Sequence, residues 1–246
     1  MNIKSVSKYY SSGGLVKVLS VALKKIKDAF FDNLGYCFSK LFFKNTFIFR
    51  GKALRYLVRR HNHTWKCERA IEVPVALAFC EEYKNKNVLE IGNVLTHYFV
   101  PKGFENYVIV DKFEQAKGII NKDIIDFKSK IKFDFIFSVS TFEHIGFDEQ
   151  EGTKTKYSPK KIGLAINKVK KMLGKDGIAL ITLPIDYNPW LDCMLLNENI
   201  KFDELWCYKH VSRYGWGKVE LSEALLSKYN YPFCFGNALV VGIIKN

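Results

Sequence analysis

The sequence predicts an α/β protein built on a mostly parallel sheet, and three observations predict it. The short apolar run 87–91 contains Glu90 and is followed by Gly92, and the run 107–111 ends in Asp111. A third apolar run follows at 133–140. Helical patterns separate such runs, which is typical of buried parallel strands joined by crossover helices. Because ligands bind at the carboxyl ends of such strands, we expect the functional site at that edge of the sheet.

The N-terminal stretch is expected to form a basic amphipathic helix after a polar end at residues 1–13. Its apolar side chains recur every three or four residues, and its polar side is mainly lysine. These apolar residues are Leu15, Val18, Leu19, Ala22, Leu23, Ile26 and Phe30, and further phenylalanines follow up to Phe43. The stretch 15–43 suits an anionic membrane surface, but a helix packed on its own domain or in a homodimer is equally consistent with the pattern.

The charge of the chain is concentrated at its start. The net charge is +13 over 246 residues, and the first 70 residues hold 15 Lys and Arg against three acids. The remainder is nearly neutral. A basic block of this kind favours an anionic partner such as lipid, nucleic acid or an acidic substrate.

Two elements are expected between this helix and the sheet. Apolar stretches on either side of Arg50-Gly51-Lys52 indicate a small hairpin that is a candidate lid. A helix carrying Pro74 should begin near Glu68. We therefore divide the chain into a basic N-terminal extension with hairpin, 1–66, and an α/β domain, 67–246.

The α/β domain is expected to hold seven strands, with helices on both faces of the sheet. A helix should follow the first strand, and a capped helix should span 158–173. Residues 200–216 are too irregular to assign, and the last helix is expected at 219–229. A tight link at Gly236 indicates an antiparallel final pair, so the last strand should be reversed. The predicted strands are 87–91, 107–111, 118–120, 133–140, 178–183, 231–235 and 238–244.

Glu90, Gly92 and Asp111 form the pattern of a nucleoside-binding corner. Asp111 lies 19 residues after Gly92, close to the spacing of about 20 at which an acid meets a ribose in such folds. Only one of the three glycines of a dinucleotide fingerprint is present, and Asn93 follows it. Because the backbone then cannot approach two phosphates closely, a nucleoside lacking phosphates is favoured. An ordinary core in which Gly92 only turns the chain is the alternative.

This stretch resembles motif I of the class I S-adenosylmethionine-dependent methyltransferases, and the order of elements over 87–245 is similar to theirs. The resemblance implies a Rossmann-like sheet with a reversed last strand and S-adenosyl-L-methionine as the cofactor. It also implies that Asp111 takes the ribose and that Asp123, with Asp126 in reserve, takes the adenine amino group. The residues it assigns to the cofactor are Glu90, Gly92, Asn93, Asp111, Lys112, Asp123, Ile124 and Ser138.

A narrower likeness concerns the acceptor. The stretches around Glu68–Pro74, His97–Phe99, Ser140–His144 and Pro184–Pro189 resemble a bacterial subgroup found with surface-polysaccharide biosynthesis genes. This resemblance implies O-methylation of a sugar hydroxyl, or of a phosphoryl- or phosphoramidate-type oxygen, in a capsule or lipopolysaccharide precursor.

Methyl transfer from a sulfonium needs an aligned acceptor and a base near neutral pKa, which favours histidine. His144 lies beside the expected methyl position, with Glu143 before it. A structural histidine is the commoner alternative. The candidate catalytic residues are His144, Glu143, His97, His210 and Tyr187. Glu143 and His144 would bind a divalent metal only with a third ligand such as Asp186 or Asp148, so no metal is expected.

Composition narrows the remaining classes. The six cysteines form no C-x-x-C pair, which is typical of reduced thiols, and no apolar run is long enough for a bilayer helix. We expect a cytoplasmic protein, or one peripheral on the inner membrane face. A nicotinamide-dependent sugar enzyme and a non-catalytic membrane-peripheral module stay open as alternatives. So does an RNA methyltransferase, since the basic stretch could hold phosphates, although a nucleic-acid partner is not what we expect.

Overall fold

The computed structural model describes residues 3–42, 46–147 and 158–246. By their contacts the residues divide into two compact units, Met1–Phe43 and Lys44–Asn246. The hairpin that we grouped with the N-terminal extension is part of the second unit.

The first unit consists of one helix, α1, which spans Ile3–Phe42. It begins well before Leu15, so the described part of the expected polar end at residues 1–13 is helical from Ile3 onward. Residues 1, 2 and 43 lie outside the described residues. Among the helices that the structure describes, none combines the length and apolar character needed to cross a bilayer.

In the part of it that the structure describes, the second unit contains ten strands and four α-helices. Short 3-10 helices at His61–Lys66, Leu95–His97 and Phe142–His144 join some of them. In chain order the elements are β1 (Thr46–Phe49), β2 (Lys52–Arg55), α2 (Arg69–Glu82), β3 (Asn87–Ile91), β4 (Asn106–Asp111), β5 (Ile119–Asn121), β6 (Phe133–Val139), α3 (Lys160–Met172), β7 (Leu173–Pro184), α4 (Pro189–Leu196), β8 (Glu204–Ser212), β9 (Gly215–Val219), α5 (Leu221–Ala224) and β10 (Ala238–Lys245).

Eight strands form one sheet in the order β5-β4-β3-β6-β7-β10-β8-β9. The five strands from β5 to β7 are parallel, whereas β10 runs antiparallel to both β7 and β8. The predicted Rossmann-like, mostly parallel sheet with a reversed last strand is therefore confirmed. The predicted number of seven strands is wrong, because β8 and β9 were not predicted and the predicted strand at 231–235 is not part of the sheet.

The C-terminal region differs most from expectation. Residues 200–216, which we left unassigned, hold β8 and the start of β9. Side chains alternate along β8, as expected for a strand. Trp206 and Tyr208 lie on one face, against aromatic rings of the β1–β2 hairpin, and Cys207 lies on the other face, in the buried apolar cluster. The predicted helix at 219–229 is reduced to α5, and the predicted strand at 231–235 forms no ladder.

Helices cover both faces of the sheet, as the two sides of β6 show. Ile136 belongs to the buried cluster that includes Ala165 and Val169 of α3. Phe135, which points the other way, stacks on Phe79 of α2 with ring centroids 5.5 Å apart. The alternation of side chains along a strand thus gives each helix its own half of the core.

The β1–β2 hairpin packs on β8. The Tyr208 hydroxyl donates a hydrogen bond to the Ile48 carbonyl over 2.8 Å, and the Phe47 ring meets the Tyr208 ring edge-on at 5.7 Å. The hairpin thus lies against a strand that is five positions from β4 in the sheet, and its function as a lid stays a prediction.

Candidate active site

The loop after β3 turns sharply at Gly92. This residue has φ +81°, and a Cβ built there would collide with the Thr141 side chain. The Gly92 N–H donates to the Val110 carbonyl over 2.9 Å. The conformation and the close approach both require glycine here.

Glu90 fixes the same loop from beneath. Its Oε1 accepts hydrogen bonds from the N–H groups of Val94 and Leu95 at 2.9 and 2.6 Å, and its Oε2 accepts one from the Tyr107 hydroxyl at 2.6 Å. Burial raises the pKa of Glu90 to about 7, although these three donors oppose the shift. Glu90 is fully buried and organises the loop without lining the cavity described below.

A short 3-10 helix stands after β3 in place of the predicted α-helix. The first N–H groups of a helix have no partner within the helix. Glu90 accepts from two such groups, those of Val94 and Leu95, at the start of the 3-10 helix Leu95–His97, and no α-helix follows before β4. The predicted helix is therefore wrong.

Asp111 ends β4 beside this loop. Its Oδ1 accepts from the N–H groups of Phe113 and Glu114, both at 2.8 Å, and its Oδ2 accepts from the Asn93 N–H at 3.0 Å. Burial raises the pKa of Asp111, but the three backbone donors outweigh it and hold the pKa below its usual range. The carboxylate is thus ionised and held in one orientation.

A cavity of about 450 Å³ opens at the carboxyl ends of β3, β4 and β6. This volume falls within the range of small-molecule sites. The cavity brings together six residues that the sequence assigned to function, which are Gly92, Asp111, Lys112, Asp123, Ile124 and His144.

Asp123 lies at the cavity wall and faces two lysines. Its Oδ2 is 3.2 Å from the Lys112 Nζ and 3.8 Å from the Lys161 Nζ, and its Oδ1 accepts from the Ile125 N–H at 3.1 Å. Asp126, the alternative acid, is exposed and does not line the cavity. The structure thus favours Asp123 over Asp126.

Two other residues assigned to the cofactor have internal partners. The Ser138 hydroxyl donates to the Ile91 carbonyl at 3.0 Å and joins β6 to β3. The Asn93 side-chain amide donates to Glu114 Oε1 at 2.8 Å. Neither side chain lines the cavity, so both shape its wall from behind.

His144 and Glu143 lie together in the 3-10 helix after β6. The His144 Nε2 is 3.8 Å from Glu143 Oε1, and 43% of the His144 side chain is exposed. The His144 ring meets the Tyr187 ring edge-on, with centroids 4.9 Å apart. Of the candidate catalytic residues, His144 therefore lines the cavity, and Glu143 and Tyr187 lie beside it.

Glu143 itself is buried. Among the described residues, its Oε2 has no hydrogen-bond partner. Burial raises the pKa of Glu143 well above its usual value, and the carboxylates of Glu72 and Glu68 add to the shift while Arg69 opposes it. Glu143 therefore favours the neutral, protonated form unless a positive charge comes near.

Sequence reasoning missed the buried ionic cluster behind this pair. Arg69 Nη1 donates to Glu72 Oε2 at 2.7 Å, and the Glu68 Oε2 accepts from the Gly236 N–H at 3.0 Å. The only local signal is the Glu-Arg-x-x-Glu spacing at the start of α2, which on a surface helix would be an ordinary exposed ion pair.

Glu72 connects this cluster to the ends of two strands. Its Oε1 accepts hydrogen bonds from the hydroxyls of Ser140 and Thr182, the latter at 2.7 Å. Ser140 has φ +38°, a left-handed conformation that is uncommon outside glycine. Glu72 thus holds the backbone corner from which Thr141 and His144 reach the cavity.

The other two candidate histidines lie away from the cavity lining. His210 is buried on β8, where its ring lies 3.8 Å from the Trp216 ring, and burial lowers its pKa to about 4. His97 is exposed at the end of the 3-10 helix after β3. Neither lines the cavity that contains His144.

The described ranges contain no group of three or more His, Cys, Asp or Glu side chains arranged to hold a metal ion. Asp186, one suggested third ligand beside Glu143 and His144, accepts instead from the Lys228 ammonium at 3.1 Å and the Tyr229 N–H at 2.9 Å. Asp148, the other suggestion, lies outside the described residues.

Neither a scan against models of protein families nor a search of curated proteins finds a match. Solved structures that are similar to this chain include methyltransferases. The N-methyltransferase NodS from Bradyrhizobium japonicum, with S-adenosylhomocysteine bound, has a TM-score of 0.43 and 14% identity over 73% of this chain and 91% of its own.

Two further structures are similar in extent. The 1,6-didemethyltoxoflavin-N1-methyltransferase from Burkholderia thailandensis, also with S-adenosylhomocysteine, has a TM-score of 0.44 and 13% identity over 81% of this chain and 97% of its own. An rRNA methylase from Streptococcus thermophilus has a TM-score of 0.43 and 13% identity over 71% and 96%. At these identities and TM-scores, the argument about function rests on the geometry of the site.

Proposed function

We propose that the protein is an S-adenosylmethionine-dependent methyltransferase. The observation that carries the proposal is the Asp111 carboxylate, ionised and fixed at the wall of a cavity of about 450 Å³ beside Gly92. A carboxylate so placed accepts hydrogen bonds from both hydroxyls of a ribose.

Asp123 and Ile124, which line the same cavity, fit the base of the same nucleoside. Asp123 accepts hydrogen bonds at its carboxylate, which suits the amino group of adenine, and the buried Ile124 provides an apolar surface for the ring. The residues of the cavity therefore fit adenosine in the orientation that the sequence resemblance implies.

A cofactor with a pyrophosphate fits this loop poorly. Each N–H from Gly92 to Leu95 already donates inside the protein, to Val110, Asp111 or Glu90. A dinucleotide site needs such N–H groups, together with the N-terminus of an α-helix, to hold its phosphates. The loop thus disfavours NAD and favours a nucleoside without phosphates.

S-adenosylmethionine supplies a methyl group activated by a sulfonium, so the chain need only align an acceptor and remove its proton. His144 lines the cavity and is partly exposed, which suits a base that meets an acceptor entering from solvent. The Tyr187 ring packed edge-on against His144 restricts the orientation of the imidazole. The Glu143 Oε1 is 3.8 Å from the His144 Nε2, so a positively charged imidazole would favour the ionised form of Glu143.

For the acceptor, we propose an oxygen of a bacterial surface-glycan precursor, either a sugar hydroxyl or a phosphoryl- or phosphoramidate-type oxygen. The support is the likeness of the Glu68–Pro74, Ser140–His144 and Pro184–Pro189 stretches to methyltransferases found with surface-polysaccharide genes. Three of these stretches meet in the structure, where Glu72 contacts Ser140 and the Asn188 amide donates to the Glu143 carbonyl at 2.8 Å.

The test is a thermal-shift panel with S-adenosylhomocysteine, NAD and buffer alone. A ligand at one hundred times its Kd stabilises the folded state by about 2.7 kcal/mol, which is measurable as a raised Tm. We expect S-adenosylhomocysteine to raise the Tm and NAD to leave it unchanged. Stabilisation by NAD, or by neither ligand, would contradict the proposal. Adenosine serves as a matched probe for the nucleoside half of the site.

A further inference from the structure

Helix α1 carries an exposed apolar face along its described length. The large apolar side chains exposed there are Leu19, Leu23, Ile26, Phe30, Phe31, Leu34, Phe38, Leu41 and Phe42. Since successive residues of an α-helix are rotated by about 100°, these nine side chains span an arc of about 160°. Such a face needs a large apolar surface to cover it.

The width of this arc argues against a two-stranded coiled coil. A coiled-coil seam is a narrow stripe of a and d positions, and Leu19, Ile26 and Phe30 alone would form one. Phe31 and Phe42 lie well outside that stripe. A second copy of the helix would leave these two aromatic rings uncovered.

Lys27 lies within the apolar arc, and its Nζ is 6.0 Å from the centroid of the Phe31 ring. In a dry protein interface this ammonium would be buried at a high cost. At a lipid headgroup, the aliphatic part of the lysine remains in the apolar layer while the ammonium reaches a phosphate. The position of Lys27 therefore suits a membrane surface better than a protein partner.

The charge of the helix points to the same partner. Residues 3–42 contain seven lysines and two aspartates, within a stretch of 70 residues that holds 15 basic side chains against three acids. Lysines near a surface of anionic lipid are attracted to it, and exposed leucines and phenylalanines insert beside them. We propose that α1 lies in the headgroup region of an anionic membrane with its apolar arc facing the acyl chains.

The opposite side of α1 provides a matched control. Asp32, Tyr36 and Ser39 lie roughly opposite the centre of the apolar arc at the helical rotation used above. The Ser39 hydroxyl donates to the Tyr36 carbonyl at 2.7 Å, within the helix. A substitution of Tyr36 therefore removes an aromatic ring from the same helix without touching the proposed membrane face.

The test uses the full chain and sedimentation with vesicles of phosphatidylcholine, with or without an equal amount of phosphatidylglycerol. The wild-type protein should bind the phosphatidylglycerol vesicles, and high salt should weaken the binding. A triple variant should bind about a hundredfold more weakly or worse, because each of its changes removes an apolar side chain that would be buried in the bilayer. It carries Leu23→Ser, Ile26→Ser and Phe30→Ser. Tyr36→Ser should bind like the wild type.

A second variant tests the electrostatic part separately. Lys24→Gln with Lys27→Gln retains the apolar arc and should weaken binding to phosphatidylglycerol vesicles while reducing the salt dependence. The Tm with S-adenosylhomocysteine shows whether the second unit of each variant is folded, so a loss of vesicle binding is separated from a loss of structure.

Three results would overturn the proposal. If the wild type does not bind the vesicles and is a dimer in solution, while the triple variant is a monomer, the partner is a second copy. If it stays in the supernatant as a monomer whose Tm the triple variant lowers, the face is covered by the rest of the chain. Equal binding by the triple variant and Tyr36→Ser would show that the arc is not the contact surface.

Discussion

The backbone N–H of Asn93 donates to Oδ2 of Asp111 across 3.0 Å, and this bond joins the loop after β3 to the end of β4. The two segments form one wall of the cavity, so the orientation of the Asp111 carboxylate depends on the conformation of a loop 18 residues earlier in the chain. This dependence determines how the site responds to substitution.

Asp111→Ala should weaken the binding of S-adenosylhomocysteine by about 1.5 to 3 kcal/mol, the contribution of charge-assisted hydrogen bonds. Isothermal calorimetry measures the change. Asp111→Asn retains an oxygen that accepts from Phe113 and Glu114, so it should lose less affinity than the alanine variant. Asp126→Asn, at an exposed acid outside the cavity lining, is the control and should bind normally. A folded Asp111→Ala protein with unchanged affinity would refute the assignment of this carboxylate.

Gly92→Ala should lower the free energy of unfolding by more than Gly118→Ala does. The two glycines have similar φ angles, +81° and +88°, but a Cβ at Gly92 meets the Thr141 side chain whereas one at Gly118 meets no atom within 4 Å. Both variants should show the cost of a left-handed conformation, about 1 to 2 kcal/mol, and only Gly92→Ala should show the added collision. Urea unfolding compares them, and equal losses would mean that the contact with Thr141 has no cost.

His144→Ala should lower turnover by about a hundredfold or more while leaving the Kd for S-adenosylhomocysteine nearly unchanged, because a base acts on the acceptor. Formation of S-adenosylhomocysteine in the presence of glycan precursors measures turnover. His97→Ala is the control, since this histidine is exposed and does not line the cavity. Full activity of His144→Ala would remove it as the base. If activity instead required added magnesium and was lost when a chelator was added, the proposed base would be replaced by a metal ion in the mechanism.

Glu90→Gln should change how stability depends on pH. Burial raises the pKa of Glu90 from 4.5 to about 7, so the folded protein binds this proton more tightly than the unfolded chain. The stabilisation from the proton is complete below about pH 4.5 and is lost as the pH rises through about 7. At about 1.4 kcal/mol per pKa unit, this loss is about 3 kcal/mol.

Unfolding in urea at about pH 5 and about pH 8 tests this dependence. The wild type should lose stability relative to Glu90→Gln between the two values, because glutamine does not ionise in this range. Asp126→Asn, at an exposed acid, should change in parallel with the wild type. A constant difference between the wild type and Glu90→Gln would show that Glu90 does not titrate in this window.

The sequence predicts the parallel half of the sheet well, because β3, β4 and β6 are apolar runs whose pattern does not depend on distant neighbours. The proximity of Gly92 and Asp111 is also predicted from local spacing, and the structure brings both to one cavity. By contrast, β8 has a period of two that is hard to see among its many aromatic residues. Its assignment depends on its pairing with β10, which follows it in the chain by more than 20 residues and is the last strand in sequence order.

The absence of an α-helix after β3 and the cluster around Glu72 were not predicted, for a different reason. In both places a carboxylate has partners that the local pattern does not reveal. Glu90 accepts from the N–H groups of Val94 and Leu95, and Glu72 forms its ion pair with Arg69 in the buried interior and not at the surface. Burial of a charge is a property of the assembled fold, so short-range spacing does not predict it.

The contacts of Glu72 have a consequence for how the chain is synthesised. Its carboxylate bonds to Ser140 and Thr182, which lie 68 and 110 residues later in the chain. While the ribosome is still making β6 and β7, Glu72 has neither hydroxyl as a partner and remains in water, because burying it alone would be unfavourable. The corner at Ser140, beside the cavity, is therefore complete only after β7 has emerged.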